Sequence, residues 1–151
     1  MIKLFEQFNN EQEIIEICKK YKIENYTINP DGSIDVDGSV SFANRQLDKL
    51  PLNFNRVSGW FSCYGNNLTS LEGSPKEVGN DFICTHNKIT TLKGAPILIG
   101  RNLDLESNPL SIIDSSIEIK GKIYIDHTKL DWFKIKRIGL DKLKILFEHG
   151  V

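Results

Sequence analysis

The sequence predicts an α+β protein built as a short solenoid of about five rungs. It carries a parallel strand ladder, a helix-plus-hairpin cap in front and a helical cap behind. Three observations predict this: apolar residues recur in columns at one period, glycine and proline recur at the same period, and an asparagine holds one fixed place in the middle rungs. Leu47, Leu68, Ile89 and Leu110 are spaced 21 apart, and Leu130 follows after 20. The remaining columns are Leu50, Leu71, Leu92 and Ile113; Val40, Phe61, Phe82, Leu103 and Ile123; Phe42, Cys63, Cys84, Leu105 and Ile125; and Val36, Val57, Val78, Ile99 and Ile119. Gly38, Gly59 and Gly121 share one place in the unit, Gly73 and Gly94 another, Pro75 and Pro96 a third. A period of this length marks a stacked repeat, in which no unit can bury its apolar edge alone.

The front cap is expected over residues 1–33. Asn9 or Asn10 followed by Glu13 is a helix-start signature, and Ile14, Ile15, Ile17, Cys18 and Tyr21 supply an apolar side, so a helix is expected at about 10–21. Tyr26-Thr27-Ile28 and Ile34-Asp35-Val36 alternate around the turn formers Asn29-Pro30-Asp31-Gly32 and predict a hairpin. The rungs are expected over residues 34–132, each with a short strand marked by apolar residues at i and i+2, such as Phe61 and Cys63. Behind them, over 133–151, Leu140, Leu143, Leu146 and Phe147 follow helical spacing with Gly150 as a stop.

Three residues after the second buried strand position stands Asn66, Asn87 or Asn108, with the next apolar residue two further on. A buried asparagine has two donors and an acceptor, so stacked copies are expected to bond the backbone of neighbouring rungs. Arg45 and Thr128 take this place in the outer rungs. The unit Phe61-Ser62-Cys63-Tyr64-Gly65-Asn66-Asn67-Leu68 followed by Leu71 recurs as Phe82 to Ile89 and Leu103 to Leu110. It resembles leucine-rich repeat proteins of the short type, about 20–22 residues per unit, common in bacteria and their phages. Leu47-Asp48-Lys49-Leu50-Pro51 looks like the repeat step of bacterial effectors, and the run from Leu68 to Gly79 looks like small repeat proteins encoded by tailed phages. Effectors of that kind can carry a ubiquitin-ligase domain with a catalytic cysteine. Only Phe133 to Val151 follows here, without a cysteine, so the resemblance implies no such activity.

Composition narrows the partner. Nineteen Lys and Arg against 20 Asp and Glu give a net charge of -1, so the basic excess of a polyanion binder is missing. No apolar run reaches membrane-span length, and Glu6 with two asparagines interrupts any secretory leader, so a cytoplasmic protein is expected, in the host cytoplasm if phage-encoded. Three cysteines do not make a disulfide framework. Cys63 and Cys84 share a buried column and are expected as small core residues, with a disulfide or a metal pair as the alternatives. His86 follows Cys84 closely, but it sits in a turn while the thiol points inward, with no third group to orient a nucleophile. His86 and His127 are two rungs apart, too far to share one zinc. No catalytic or cofactor motif is present, so neither an enzyme nor a cofactor is expected.

The strand residues that alternate with the buried ones point to binding. They are Ser39, Ser41 and Ala43; Trp60, Ser62 and Tyr64; Asp81, Ile83 and Thr85; Asn102, Asp104 and Glu106; Lys122, Tyr124 and Asp126. Folding does not ask for Trp60, Tyr64, Ile83 and Tyr124 on an open face, whereas interface centres use such residues rimmed by charge. The acids Asp81, Asp104, Glu106 and Asp126 face Lys122 alone, which favours a protein partner with a basic surface. The competing reading is that these aromatics only pack on one another across strands. Two other functions stay open at this point. One is nucleic-acid binding through Lys129, Lys134, Lys136, Arg137, Lys142 and Lys144 beside Trp132 and Phe133; the other is a structural, self-assembling virion component.

Overall fold

Two parallel ladders wind through the chain, and their strands follow one another within each repeat. The computed structural model describes residues 2–111 and 117–125. Helix α1 (Ile2–Tyr21) leads into β1 (Tyr26–Ile28) and β2 (Ile34–Val36). Then come β3 (Val40–Ser41), β4 (Phe54–Val57), β5 (Phe61–Ser62), β6 (Glu77–Val78), β7 (Phe82–Ile83), β8 (Leu98–Ile99), β9 (Leu103–Asp104), β10 (Glu118–Ile119) and β11 (Ile123–Tyr124). One sheet has the order β1-β2-β4-β6-β8-β10, the other β11-β9-β7-β5-β3.

The result is a β-solenoid of about four turns. The five rungs expected from the columns correspond to the five strands of the second sheet, which enclose four intervening turns. The single ladder expected is in fact two. The column Val36, Val57, Val78, Ile99 and Ile119 forms strands of its own, each member paired with the next. In the second sheet Val40 pairs with Phe61, Phe61 with Phe82, Phe82 with Leu103 and Leu103 with Ile123. The two ladders meet at a corner so tight that glycine is required at Gly79 and Gly100. A Cβ at Gly79 would run into the Ser58 carbonyl, and one at Gly100 into the Gly79 carbonyl.

Both ladders and the column Leu68, Ile89 and Leu110 turn their apolar residues into one core. The core is aromatic near the front cap. Tyr21 meets Phe42 edge-on at 4.9 Å, Phe42 meets Phe54 and Phe61 at 5.9 Å each, and Phe61 stacks on Phe82 at 5.6 Å. Beyond Phe82 the same columns continue with aliphatic Leu103 and Leu105.

The front cap departs from expectation in one respect. The helix begins at Ile2, not near residue 10, so Asn9 and Asn10 lie within it and do not cap it. No glycine or proline interrupts Ile2 to Asn9, so nothing in that stretch stops a helix from continuing. Ile14 and Cys18 are buried against the first turn. Burial pushes the Cys18 thiol pKa up, offset in part by its hydrogen bond with Tyr26. The hairpin is antiparallel, with Tyr26 opposite Val36 and Ile28 opposite Ile34. Its turn is held by Asp31, which accepts from the Ser33 hydroxyl at 2.6 Å and the Ser33 amide at 3.0 Å, bonds that lower the Asp31 pKa. The expected C-terminal cap over 133–151, together with Ile113, Asp126, His127, Thr128, Leu130 and the basic segment with Trp132 and Phe133, lies outside the described residues.

Candidate functional site: the outer face of the second ladder

The face is positioned by the corners that follow it. Asn66 donates through Nδ2 to the carbonyls of Phe42 at 2.8 Å and Cys63 at 3.0 Å, while its Oδ1 accepts from the Arg45 and Leu47 amides at 3.1 and 3.0 Å. Asn87 donates to Cys63 at 2.9 Å and Cys84 at 3.3 Å and accepts from the Leu68 amide at 3.0 Å. Asn108 donates to Cys84 at 2.8 Å and Leu105 at 3.0 Å and accepts from the Ile89 amide at 3.0 Å. Each amide therefore ties its own turn to the one before. All three asparagines are buried, so these bonds are made where water cannot replace them.

Just before each corner asparagine the backbone takes a left-handed step, at Gly65 (φ 67°), His86 (φ 56°) and Ser107 (φ 56°), with Asn44 (φ 55°) as the copy in the first turn. Only glycine adopts this conformation freely. The turn amides also stack: Asn44 donates to the Tyr64 carbonyl, Gly65 to Thr85 and His86 to Glu106.

Three columns of side chains cross the outer face. One holds Ser39, Trp60, Asp81, Asn102 and Lys122; the middle one Ser41, Ser62, Ile83, Asp104 and Tyr124; the third Ala43, Tyr64, Thr85 and Glu106. Trp60 is 40% exposed and Tyr64 38%, the two largest apolar groups open on this face. Ile83, Asp81, Asp104 and Tyr124 are half-buried and Glu106 is exposed.

Three details depart from the sequence expectation. Ser62 and Thr85 are buried at 7% although they alternate with core residues. They are small side chains in columns flanked by larger ones, Ile83 beside Ser62 and Tyr64 beside Thr85. Asp81 is partly neutralised, accepting from the Asn102 amide at 3.0 Å and lying 3.7 Å from the Arg101 guanidinium, a cation the alternation did not bring to this face. His86 joins the site too, its ring tilted against Tyr64 at 5.2 Å. Trp60 has no ring neighbour among the described residues.

The cysteine expectation is overturned outright. Cys63 and Cys84 are not two free core thiols but a disulfide, with Cα atoms 4.9 Å apart, while Cys18 is a buried free thiol. Adjacent turns of a parallel ladder stand about 4.8 Å apart, within bridging distance for two cysteines of one column. Such bonds are rare in reducing compartments, so this one counts against the expected cytoplasmic placement. No helix among the described residues is long and apolar enough to cross a membrane. No group of three or more potential metal ligands occurs among those residues either. A scan against protein-family models gives no match, and neither the curated proteins nor the solved structures yield one.

Proposed function

We propose that this chain is a non-catalytic protein-binding module of the leucine-rich repeat kind, which captures a partner on the outer face of its second ladder. The observation that carries the reading is Trp60. A large aromatic stands open on a sheet face with no ring to pack on among the described residues, and a stable fold does not require it there. Tyr64 and Ile83 lie beside it on the same face, and Asp104 and Glu106 lie on the following turn. An apolar centre with an acidic border suits a partner whose apolar patch is rimmed by Lys and Arg. The resemblance to small phage-encoded repeat proteins favours a host or defence protein as that partner, occupied or inhibited in the host cytoplasm. The burial of Cys63 and Cys84 would slow reduction of their bond there.

The test compares capture by the wild-type chain with capture by Trp60→Ala and Tyr64→Ala, each immobilised at equal density. A basic protein held by wild type, released by salt and lost with both variants supports the reading. Capture that survives both variants but fails when Lys134, Lys136 and Arg137 are changed moves the site to the C-terminal segment. Nucleic-acid binding is then the next reading to test, by a salt-dependent shift assay.

A further inference from the structure

The disulfide joins two residues that a single side chain already holds. Asn87 donates to the carbonyls of both Cys63 and Cys84, so one amide and one covalent bond link the same pair of turns. The bond spans 21 residues, one full repeat, and closes the turn between them into a ring that contains Asn66, Leu68, Leu71 and Val78. Both cysteines are 0% exposed. They directly follow β5, which starts just after Trp60, and β7, which carries Ile83: Cys63 lies between Ser62 and Tyr64, Cys84 between Ile83 and Thr85.

We propose that the Cys63–Cys84 bond is a redox-set staple of the central turn, one that changes the rigidity of the ladder without changing its fold. Opening it with a dithiol reductant breaks one S–S bond. Two electrons and two protons give two thiols, and the reductant becomes a disulfide. The ladder does not need the bond to keep its register. Backbone bonds that do not involve the sulfurs hold it: the Phe61 amide donates to Asp81 at 3.0 Å, Cys63 to Ile83 at 2.8 Å and Cys84 to Asp104 at 2.8 Å. Two thiols in a column continued by Phe42 and Leu105 are acceptable apolar fillers. What is lost is the covalent limit on how far the closed turn can open. Because neither sulfur is exposed, the reductant must wait for local opening, so the bond responds slowly.

The test needs no partner, so its outcome is independent of the binding proposal. The full chain is refolded in an oxidised and reduced glutathione buffer, then denatured and its thiols titrated. One thiol per chain is expected, from Cys18, and three after dithiothreitol. Melting of the reduced protein should fall by roughly 10 °C, the entropic effect of a closed loop of this size, with an unchanged far-ultraviolet dichroism spectrum at 20 °C. Amides between Phe61 and His86 should exchange faster once reduced. Cys63→Ala/Cys84→Ala should melt near the reduced protein and ignore reductant; if it does not fold, Cys63→Val/Cys84→Val serves the same comparison. Three thiols after oxidative refolding, equal melting of both redox states, or loss of the dichroism spectrum on reduction would each overturn the proposal.

Discussion

The two ladders share one core and one repeat but present outer faces of different character. On the first, the register sets Asp35, Arg56, Glu77, Leu98 and Glu118 side by side, and charges of opposite sign alternate over its first three places. Arg56 lies 3.9 Å from Glu77, Asp35 accepts from Asn55 at 2.7 Å, and Asp37 accepts from the Ser58 hydroxyl at 2.9 Å. Over those places the face finds its partners within itself, while Ile97, just ahead of β8, is left open. The second face sets Trp60 and Tyr64 beside Ile83 and a run of acids, and part of its apolar surface is left open. Both strands of a repeat must supply inward apolar residues, so the inner columns teach nothing about use. The outer columns are where the two ladders could have been alike and are not.

The comparison breaks first if the shared core is not shared. Leu71→Ala should lower stability by about 2–5 kcal/mol, read as a cooperative melt in which both ladders unfold together. Two separated transitions would show the ladders to be independent. Asn87→Ala should cost about 2–4 kcal/mol, because it removes donors from two turns at once and leaves the buried Leu68 amide without its acceptor.

Affinity sharpens the contrast between faces. Trp60→Ala should weaken capture of the partner by about 2 kcal/mol or more while melting stays within about a degree. On the first face, Arg56→Ala should leave capture unchanged and cost at most about 0.5 kcal/mol of stability, since its ion pair with Glu77 is exposed. Equal effects on capture would end the distinction. Asp104→Lys/Glu106→Lys should slow association and flatten its salt dependence, measured by surface kinetics at two ionic strengths. An effect of opposite sign belongs to His86→Gly, which relieves a left-handed backbone and should stabilise by up to about 1 kcal/mol while removing the ring against Tyr64.

Much of this could be read from the sequence because a repeat averages its own noise. Each column was sampled about five times, so Val57 and Val78 are legible together where one valine would say nothing. That the same column forms a second ladder was not legible. An inward apolar residue looks alike in a strand and in a bend, and β6, β8 and β10 are only two residues long. The helix start was misread because Asn9 and Asn10 are capping residues by type, and only the absence of breakers before them argues otherwise. On the face, alternation brought out Trp60 and Tyr64 but not Arg101, whose position belongs to the corner and whose long side chain returns to Asp81. By sequence His86 is only a turn residue near a cysteine, whereas in the fold its ring lies against Tyr64. The disulfide escapes the sequence because column membership alone cannot tell two stacked thiols from a bond.

The antiparallel β1 has a meaning for growth. From β2 onward each strand bonds to a copy about one repeat away, so duplicating a unit of 21 residues would add a turn and disturb no existing contact. One residue less is tolerated where a bend absorbs it, since Ile99 pairs with Ile119 and Leu103 with Ile123 across 20 residues while Ile123 and Ile125 stay buried. At the front this freedom ends, because β1 runs against β2 and offers the wrong polarity for another parallel turn. The solenoid thus carries a ruler without a fixed length, stopped at one end by the direction of a three-residue strand.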